Sequence, residues 1–73
     1  MALIEVKTDI TGNVWKIVVK PGDTVSEDDP LLILESMKME IPVSAPEAGK
    51  VVEILTEEGS TVPEGTVLVR LEV

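Results

Sequence analysis

The chain of 73 residues contains no cysteine and no histidine, so it can form neither disulfide bonds nor the usual zinc sites. Aromatic residues are nearly absent as well, since Trp15 is the only one. The missing His and Cys also remove the most versatile general base and the most reactive nucleophile, and no convincing catalytic cluster is present. We therefore predict that the chain is not an enzyme and has neither catalytic residues nor a metal site.

Basic residues are few: 6 Lys and Arg stand against 14 Asp and Glu, which gives a net charge of −8. This balance excludes nucleic acid and anionic membranes as partners, because both need clustered positive charge. No apolar run is long enough to span a membrane. We also expect no signal peptide before the domain. We expect a monomeric domain in the cytoplasm or an organelle matrix.

Helix-forming patterns are also scarce. Val, Ile and Thr are frequent, and Gly or Pro interrupts the chain at short intervals, a pattern typical of short β-strands joined by turns. Pro21-Gly22-Asp23 and Pro63-Glu64-Gly65 are the clearest turn signals. Pro42 falls within a predicted strand, which indicates an edge strand because proline has no N–H to donate. The pattern predicts an all-β fold.

An internal repeat organises these strands. When the sequence is shifted by 37 positions without gaps, 12 of 36 residue pairs are identical. The identical pairs are Ile4/Ile41, Val6/Val43, Gly12/Gly49, Val14/Val51, Ile17/Ile54, Gly22/Gly59, Thr24/Thr61, Val25/Val62, Glu27/Glu64, Leu31/Leu68, Leu34/Leu71 and Glu35/Glu72. Residues 1–73 therefore form one domain of two similar halves, 1–36 and 38–73, related by a pseudo-two-fold axis.

The repeat and the alternation of polar and apolar residues predict which side chains face the core. Arg70 and Glu72 should face water, as should Glu35, and Trp15 should be only partly buried. The predicted core residues are Val14, Ile17, Val25, Leu32, Leu34, Val51, Ile54, Val62, Val69 and Leu71.

The repeat also places Lys38 at the joint between the halves. Its repeat partner is Met1, and the partner of Ser36 is Val73, so the Lys38 turn should occupy the place that corresponds to the termini. We expect the termini to meet at one end of the domain and Lys38 to lie at the other. A lysine presented there between Met37 and Met39 suggests an attachment point for a covalent group.

The segment Glu35-Ser36-Met37-Lys38-Met39 resembles the attachment motif of the biotinyl/lipoyl domain family, usually written Glu-Ala/Ser-Met-Lys-Met. Gly22-Asp23-x-Val25 and Ala45-Pro46-x-x-Gly49 are also similar to that family, and the resemblance covers essentially the whole chain. It is strongest to the small, free-standing attachment proteins. The gapless repeat leaves no room for the protruding thumb that some bacterial biotin carboxyl carriers insert in the first half.

The resemblance implies a flattened β-sandwich, or barrel-sandwich hybrid, of two four-stranded antiparallel sheets with the modified lysine on a hairpin tip. It implies that a biotin protein ligase attaches biotin to Lys38. The biotin then carries carboxyl groups between a biotin carboxylase and a carboxyltransferase. The neighbours expected to take part in recognition are Glu35, Ser36, Met37, Met39 and Glu40. Exposed methionines suit a surface that several partners contact, and the glutamates can pair with basic residues.

Two alternatives share this fold. The first is a lipoyl carrier, in which a lipoyl ligase attaches lipoate to Lys38. Lipoyl domains usually show Asp-Lys-Ala at the lysine, so Met37-Lys38-Met39 favours biotin without excluding lipoate. The second is an unmodified structural sandwich module, in which Lys38 is an incidental surface lysine.

Overall fold

Eight β-strands form the protein, according to a computed structural model that describes residues 2–73. The strands are β1 (Leu3–Lys7), β2 (Gly12–Ile17), β3 (Thr24–Val25), β4 (Pro30–Ser36), β5 (Met39–Ser44), β6 (Gly49–Ile54), β7 (Thr61–Val62) and β8 (Val67–Glu72). Each strand of the first half has a counterpart 37 positions later, within a residue or so at its ends. No helix among residues 2–73 is long and apolar enough to cross a membrane.

The strands make two four-stranded antiparallel sheets. One has the order β5-β4-β2-β7 and is called the lysine sheet, because Lys38 joins two of its strands. The other has the order β1-β8-β6-β3 and is called the terminal sheet, because it holds both ends of the described chain. The predicted sandwich of two four-stranded sheets is confirmed. Pro42 lies in β5, an edge strand, as its missing N–H predicted.

Strand register confirms the pseudo-two-fold relation. In the terminal sheet Leu3 pairs with Glu72, and the equivalent pair in the lysine sheet is Glu40 with Glu35. Each sheet contains two strands from each half of the chain: β1 and β3 join β6 and β8, while β2 and β4 join β5 and β7. The two halves are thus interleaved and share one core.

The core lies between the sheets. Its buried apolar residues are Val6, Val14, Val25, Leu31, Leu32, Leu34, Ala45, Val51, Val62, Leu68, Val69 and Leu71. Eight of the ten predicted core residues are in this set, whereas Ile17 and Ile54 are partly buried and pack against it. As predicted, Trp15 is only partly buried, with 49% of its surface exposed.

Leu31 and Leu68 are fully buried although strict alternation would turn them away from Leu32 and Val69. The reason is a β-bulge in each strand. Register shifts where β4 passes β5 and where β8 passes β1 leave Leu31 and Leu68 as extra residues. A bulge allows two consecutive side chains to face one side, and each fully buried Leu contributes about 2–3 kcal/mol.

The termini meet as predicted. The Ala2 N–H donates to the Val73 carbonyl at 3.1 Å, and the Val73 N–H donates to the Ala2 carbonyl at 2.8 Å. From this pair β1 runs along the domain, and the following loop brings Gly12 beside the carbonyl of Glu35 near the end of β4. The Lys38 turn therefore lies at the opposite end from the termini. Met1, the predicted partner of Lys38, lies outside the described residues.

One turn differs between the halves in a way that stability measurements can test. Asp28 has a φ of 71°, and its repeat partner Gly65 has a φ of 88°. Glycine adopts this left-handed conformation without the steric cost that a Cβ carries. We expect Asp28→Gly to raise the free energy of unfolding in urea by up to about 1 kcal/mol, and Gly65→Asp to lower it. Shifts of both variants in the same direction would contradict this explanation.

Candidate attachment site

Lys38 lies in the two-residue turn of the hairpin formed by β4 and β5. Ser36 and Met39 are the last paired residues of these strands, so only Met37 and Lys38 lie between them. Their φ angles are 49° and 65°, both left-handed. Positive φ at both central positions is the pattern of a type I′ turn, whose twist matches that of the flanking strands. The side chain of Lys38 therefore starts from the extreme tip of the hairpin.

This turn uses residues that do not favour it. A left-handed conformation costs a residue with a Cβ roughly 1–2 kcal/mol, and such turns are usually built from Asn-Gly. The pairing of β4 with β5 holds Met37 and Lys38 in place, since it continues from Ser36 and Met39 down to Pro30 and Ser44. The sequence predicted a turn here but not its type, because neither Met nor Lys indicates positive φ.

The hairpin brings together all six residues that the sequence singled out. Met37 and Met39 are 92% and 64% exposed, and Lys38, Glu35 and Glu40 are exposed too. Ser36, the last residue of β4, is partly buried. Within residues 2–73, Lys38 makes no ion pair, since the two ion pairs found there both belong to Arg70. Forming an amide at the Lys38 amine would thus break no such interaction, so the site fits a covalent group. The roles of these residues stay a prediction.

Glu35 and Glu40 face each other directly across the hairpin. Like charges at directly opposing positions of antiparallel strands destabilise the pair. The remaining neighbour of Glu35 in the sheet is Asn13, which is uncharged. The hairpin therefore presents two neighbouring negative charges beside Lys38.

The sequence did not reveal that residues of β2 and β7 support the Lys38 hairpin. A Cβ placed on Gly12 would lie 2.9 Å from the backbone oxygen of Glu35, so only glycine allows β2 to approach this closely. Next to it, the hydroxyl of Thr61 donates a hydrogen bond to Oδ1 of Asn13 at 2.7 Å. The identity of Gly12 with Gly49 in the repeat was the signal that could have revealed this contact.

A groove of about 360 Å³ lies elsewhere, between the edge strands β1 and β5. Its walls include Val6, Ile10, Leu34 and Val43, and no residue of 35–40 lines it. Among residues 2–73 no group of three or more acidic side chains is placed to hold a metal ion. The candidate site is therefore a protruding turn and not a cavity that encloses a substrate.

Residues 4–71 match the family model described as biotin-requiring enzyme, which covers biotin and lipoyl attachment domains. The chain belongs to the biotin/lipoyl attachment family. The match spans both halves of the repeat and includes the Lys38 hairpin, so the family predicted from the sequence is confirmed.

Individual members of the biotin/lipoyl attachment family support the same assignment. A biotin/lipoyl attachment protein from Bacillus subtilis is 47% identical over 66 residues, which are 90% of this chain and 90% of that protein. A biotin carboxyl carrier protein from Streptococcus mutans is 47% identical over 60 residues, which are 82% of this chain and 46% of the relative. The crystal structure of urea carboxylase from Kluyveromyces lactis matches 99% of this chain with a TM-score of 0.92 and 33% identity, and the match takes up 6% of that protein.

The exposure of the two methionines leads to a prediction. Because Met37 and Met39 are largely in water, we expect Met37→Leu and Met39→Leu to change the free energy of unfolding by no more than about 0.5 kcal/mol. We expect the rate of Lys38 labelling to fall several-fold, since leucine lacks the flexible, polarizable thioether. Urea titrations and labelling rates measured on the same samples test this. Unfolding losses of the size seen for core residues would instead make the methionines structural.

Proposed function

We propose that this protein is a biotin carboxyl carrier and that Lys38 holds the biotin as an amide. The main support is the position of Lys38 at the tip of a strained two-residue turn, within the motif from Glu35 to Met39. A biotin carrier role and covalent biotin, both predicted from the sequence, agree with the family and with the carriers and carboxylases among its members.

Attachment joins the side-chain nitrogen of Lys38 to the carboxyl carbon of biotin. One carboxyl oxygen leaves on the AMP derived from ATP, and pyrophosphate is the other product. The lysine loses its positive charge, so the net charge of the chain moves from −8 to −9. When bound, biotin supplies the ring nitrogen that accepts a carboxyl group at one active site and releases it at another. The protein contributes the tether, which raises the effective concentration of the group at both sites.

The remaining hairpin residues serve recognition in this proposal. Glu35 and Glu40 offer paired carboxylates to basic side chains, while Met37 and Met39 offer exposed apolar surface on either side of Lys38. The partners are a biotin protein ligase, a biotin carboxylase and a carboxyltransferase, and the chain catalyses no step itself. We place these encounters in the cytoplasm or an organelle matrix, where the ligase has access to ATP.

Incubation of the purified protein with biotin ligase, biotin and ATP tests the proposal. Intact mass should show a single biotinyl addition, and peptide mapping should place it on Lys38, with no addition when ATP is omitted. If an active ligase leaves the chain unlabelled, a lipoyl ligase with lipoate is the second arm of the experiment. Labelling there alone would assign a lipoyl carrier, and labelling in neither arm would favour an unmodified structural module.

A further inference from the structure

The two sheets are equivalent in the repeat, so the fold accepts the residues of either outer face. Where the two faces differ, the difference is therefore not required by the fold. In the terminal sheet, Arg70 lies between Glu5 and Glu53 and pairs with both, at 3.5 Å and 2.9 Å. This set is called the ionic row. A charged row of this kind suits a face that remains in water.

At the equivalent positions the lysine sheet carries different residues. Ile33 replaces Arg70, Pro42 replaces Glu5 and Lys16 replaces Glu53, and Ile33 pairs with both neighbours. Ile33 and Pro42 are called the apolar row, and Lys16 beside them is exposed and basic. Half-exposed Trp15 lies in the bulge that precedes Lys16. Two of these three positions in the lysine sheet are thus apolar, whereas all three positions of the ionic row are charged.

The row nearer the turn differs as well. Glu72 in the terminal sheet is flanked by Leu3 and by Lys50, so it has a basic neighbour and no acidic one. Glu35 in the lysine sheet is flanked by Glu40 and Asn13, so it has an acidic neighbour and no basic one. Two carboxylates at the edge of an apolar face are complementary to a protein surface that presents a basic group beside an apolar one.

We propose that the outer face of the lysine sheet, from Glu35 and Glu40 to the apolar row, is the docking surface for the ligase that modifies Lys38. The inference rests on the proposed function. It assigns Ile33 and Pro42 as contacts for an apolar side chain of the ligase. It assigns Glu35 and Glu40 as the partners of a basic side chain next to it.

Distance favours the ligase over a carboxylase. The ligase must bring its active site to the amine of Lys38 itself, so its surface must lie directly against the hairpin. Ile33 and Pro42 are three strand residues from the Ser36–Met39 pair, or about 10 Å. A standard interface of about 800 Å² per partner, centred on the turn, reaches that far. A carboxylase acts on the biotin at the end of the extended lysine side chain, so its surface can lie farther from the apolar row.

The repeat supplies the test variant and its control. Ile33→Arg with Pro42→Glu copies the Arg70–Glu5 pair into the lysine sheet without changing the net charge. Arg70→Ile with Glu5→Pro makes the reverse exchange in the terminal sheet. Each sheet then carries residues that the fold already accepts at the equivalent position. If the Ile33→Arg, Pro42→Glu double variant does not fold, Ile33→Thr replaces it as the test variant. Threonine is uncharged and also favours β-strands.

The kinetics of Lys38 labelling with biotin ligase, biotin and ATP test this proposal. We expect the lysine-sheet variant to raise the KM for the carrier at least tenfold with kcat within twofold, and the terminal-sheet variant to change neither. An unchanged KM, or an equal rise in both variants, overturns the proposal. Normal labelling followed by slower carboxylation also overturns it, because that result would assign the face to a carboxylase. Self-association of the protein through this face, measured by sedimentation, overturns it as well. Failure of the unaltered protein to accept biotin would instead overturn the proposed function.

Discussion

Lys38→Arg is expected to abolish biotin labelling completely and to leave the fold unchanged. Arginine keeps the charge and the length of the side chain, but its guanidinium cannot replace the lysine amine as the group that forms the amide. Lys38 is exposed in a turn and makes no ion pair within residues 2–73, so its replacement removes nothing that the fold depends on. Intact mass and thermal unfolding of the same preparation measure both outcomes.

Two other lysines provide matched controls. Lys16 and Lys50 are exposed residues of strands β2 and β6, in the lysine sheet and the terminal sheet respectively. Lys16→Arg and Lys50→Arg should each retain one biotinyl group, still on Lys38. Residual labelling of Lys38→Arg at either lysine would show that the ligase does not select the hairpin. A large fall in the unfolding temperature of Lys38→Arg would contradict the placement of Lys38 in an exposed turn.

Gly12→Ala and Gly49→Ala are expected to destabilise the protein by about 1–3 kcal/mol each, the usual cost of forcing an extra carbon into a packed site. The alanine Cβ would lie 2.9 Å from the Glu35 oxygen in the first variant and 2.6 Å from the Glu72 oxygen in the second. Both obstacles are backbone atoms, which cannot move aside as a flexible side chain does. Urea unfolding should show the larger loss for Gly49→Ala, where the approach is closer.

The same two variants separate stability from labelling. Gly12 lies beneath the Lys38 hairpin, whereas Gly49 lies beside the termini at the other end of the domain. Labelling of Lys38 should therefore slow in Gly12→Ala, which displaces Glu35, and stay normal in folded Gly49→Ala. Equal slowing in both would mean that labelling responds to overall stability and not to the position of the hairpin. Alanine at Gly22, which has open space around it but a φ of 98°, serves as a comparison for strain without a clash.

Much of the candidate site followed from the sequence, because its signal is local. The motif from Glu35 to Met39 is continuous, and the repeat marks Lys38 as the joint of two halves. Local patterns do not report on what lies across a sheet, however. Glu35 faces Glu40, and Gly12 lies against Glu35, because the pairing of the strands places these residues next to each other. The contrast between Ile33 and Arg70 was present in the repeat, but it acquired meaning only when their neighbours across the strands were known.

By itself the sequence determined the two-fold repeat, the all-β fold class, most of the core and the position of Lys38. Composition, alternation and repetition are properties of the linear chain. The tertiary structure decided that the halves interleave, with β1 and β3 joining β6 and β8. It also decided that bulges bury Leu31 and Leu68, and that Met37 and Lys38 adopt left-handed conformations. These features depend on how strands pair with one another, including strands as far apart in the chain as β1 and β8. Such pairing can hold residues in conformations that their own preferences disfavour.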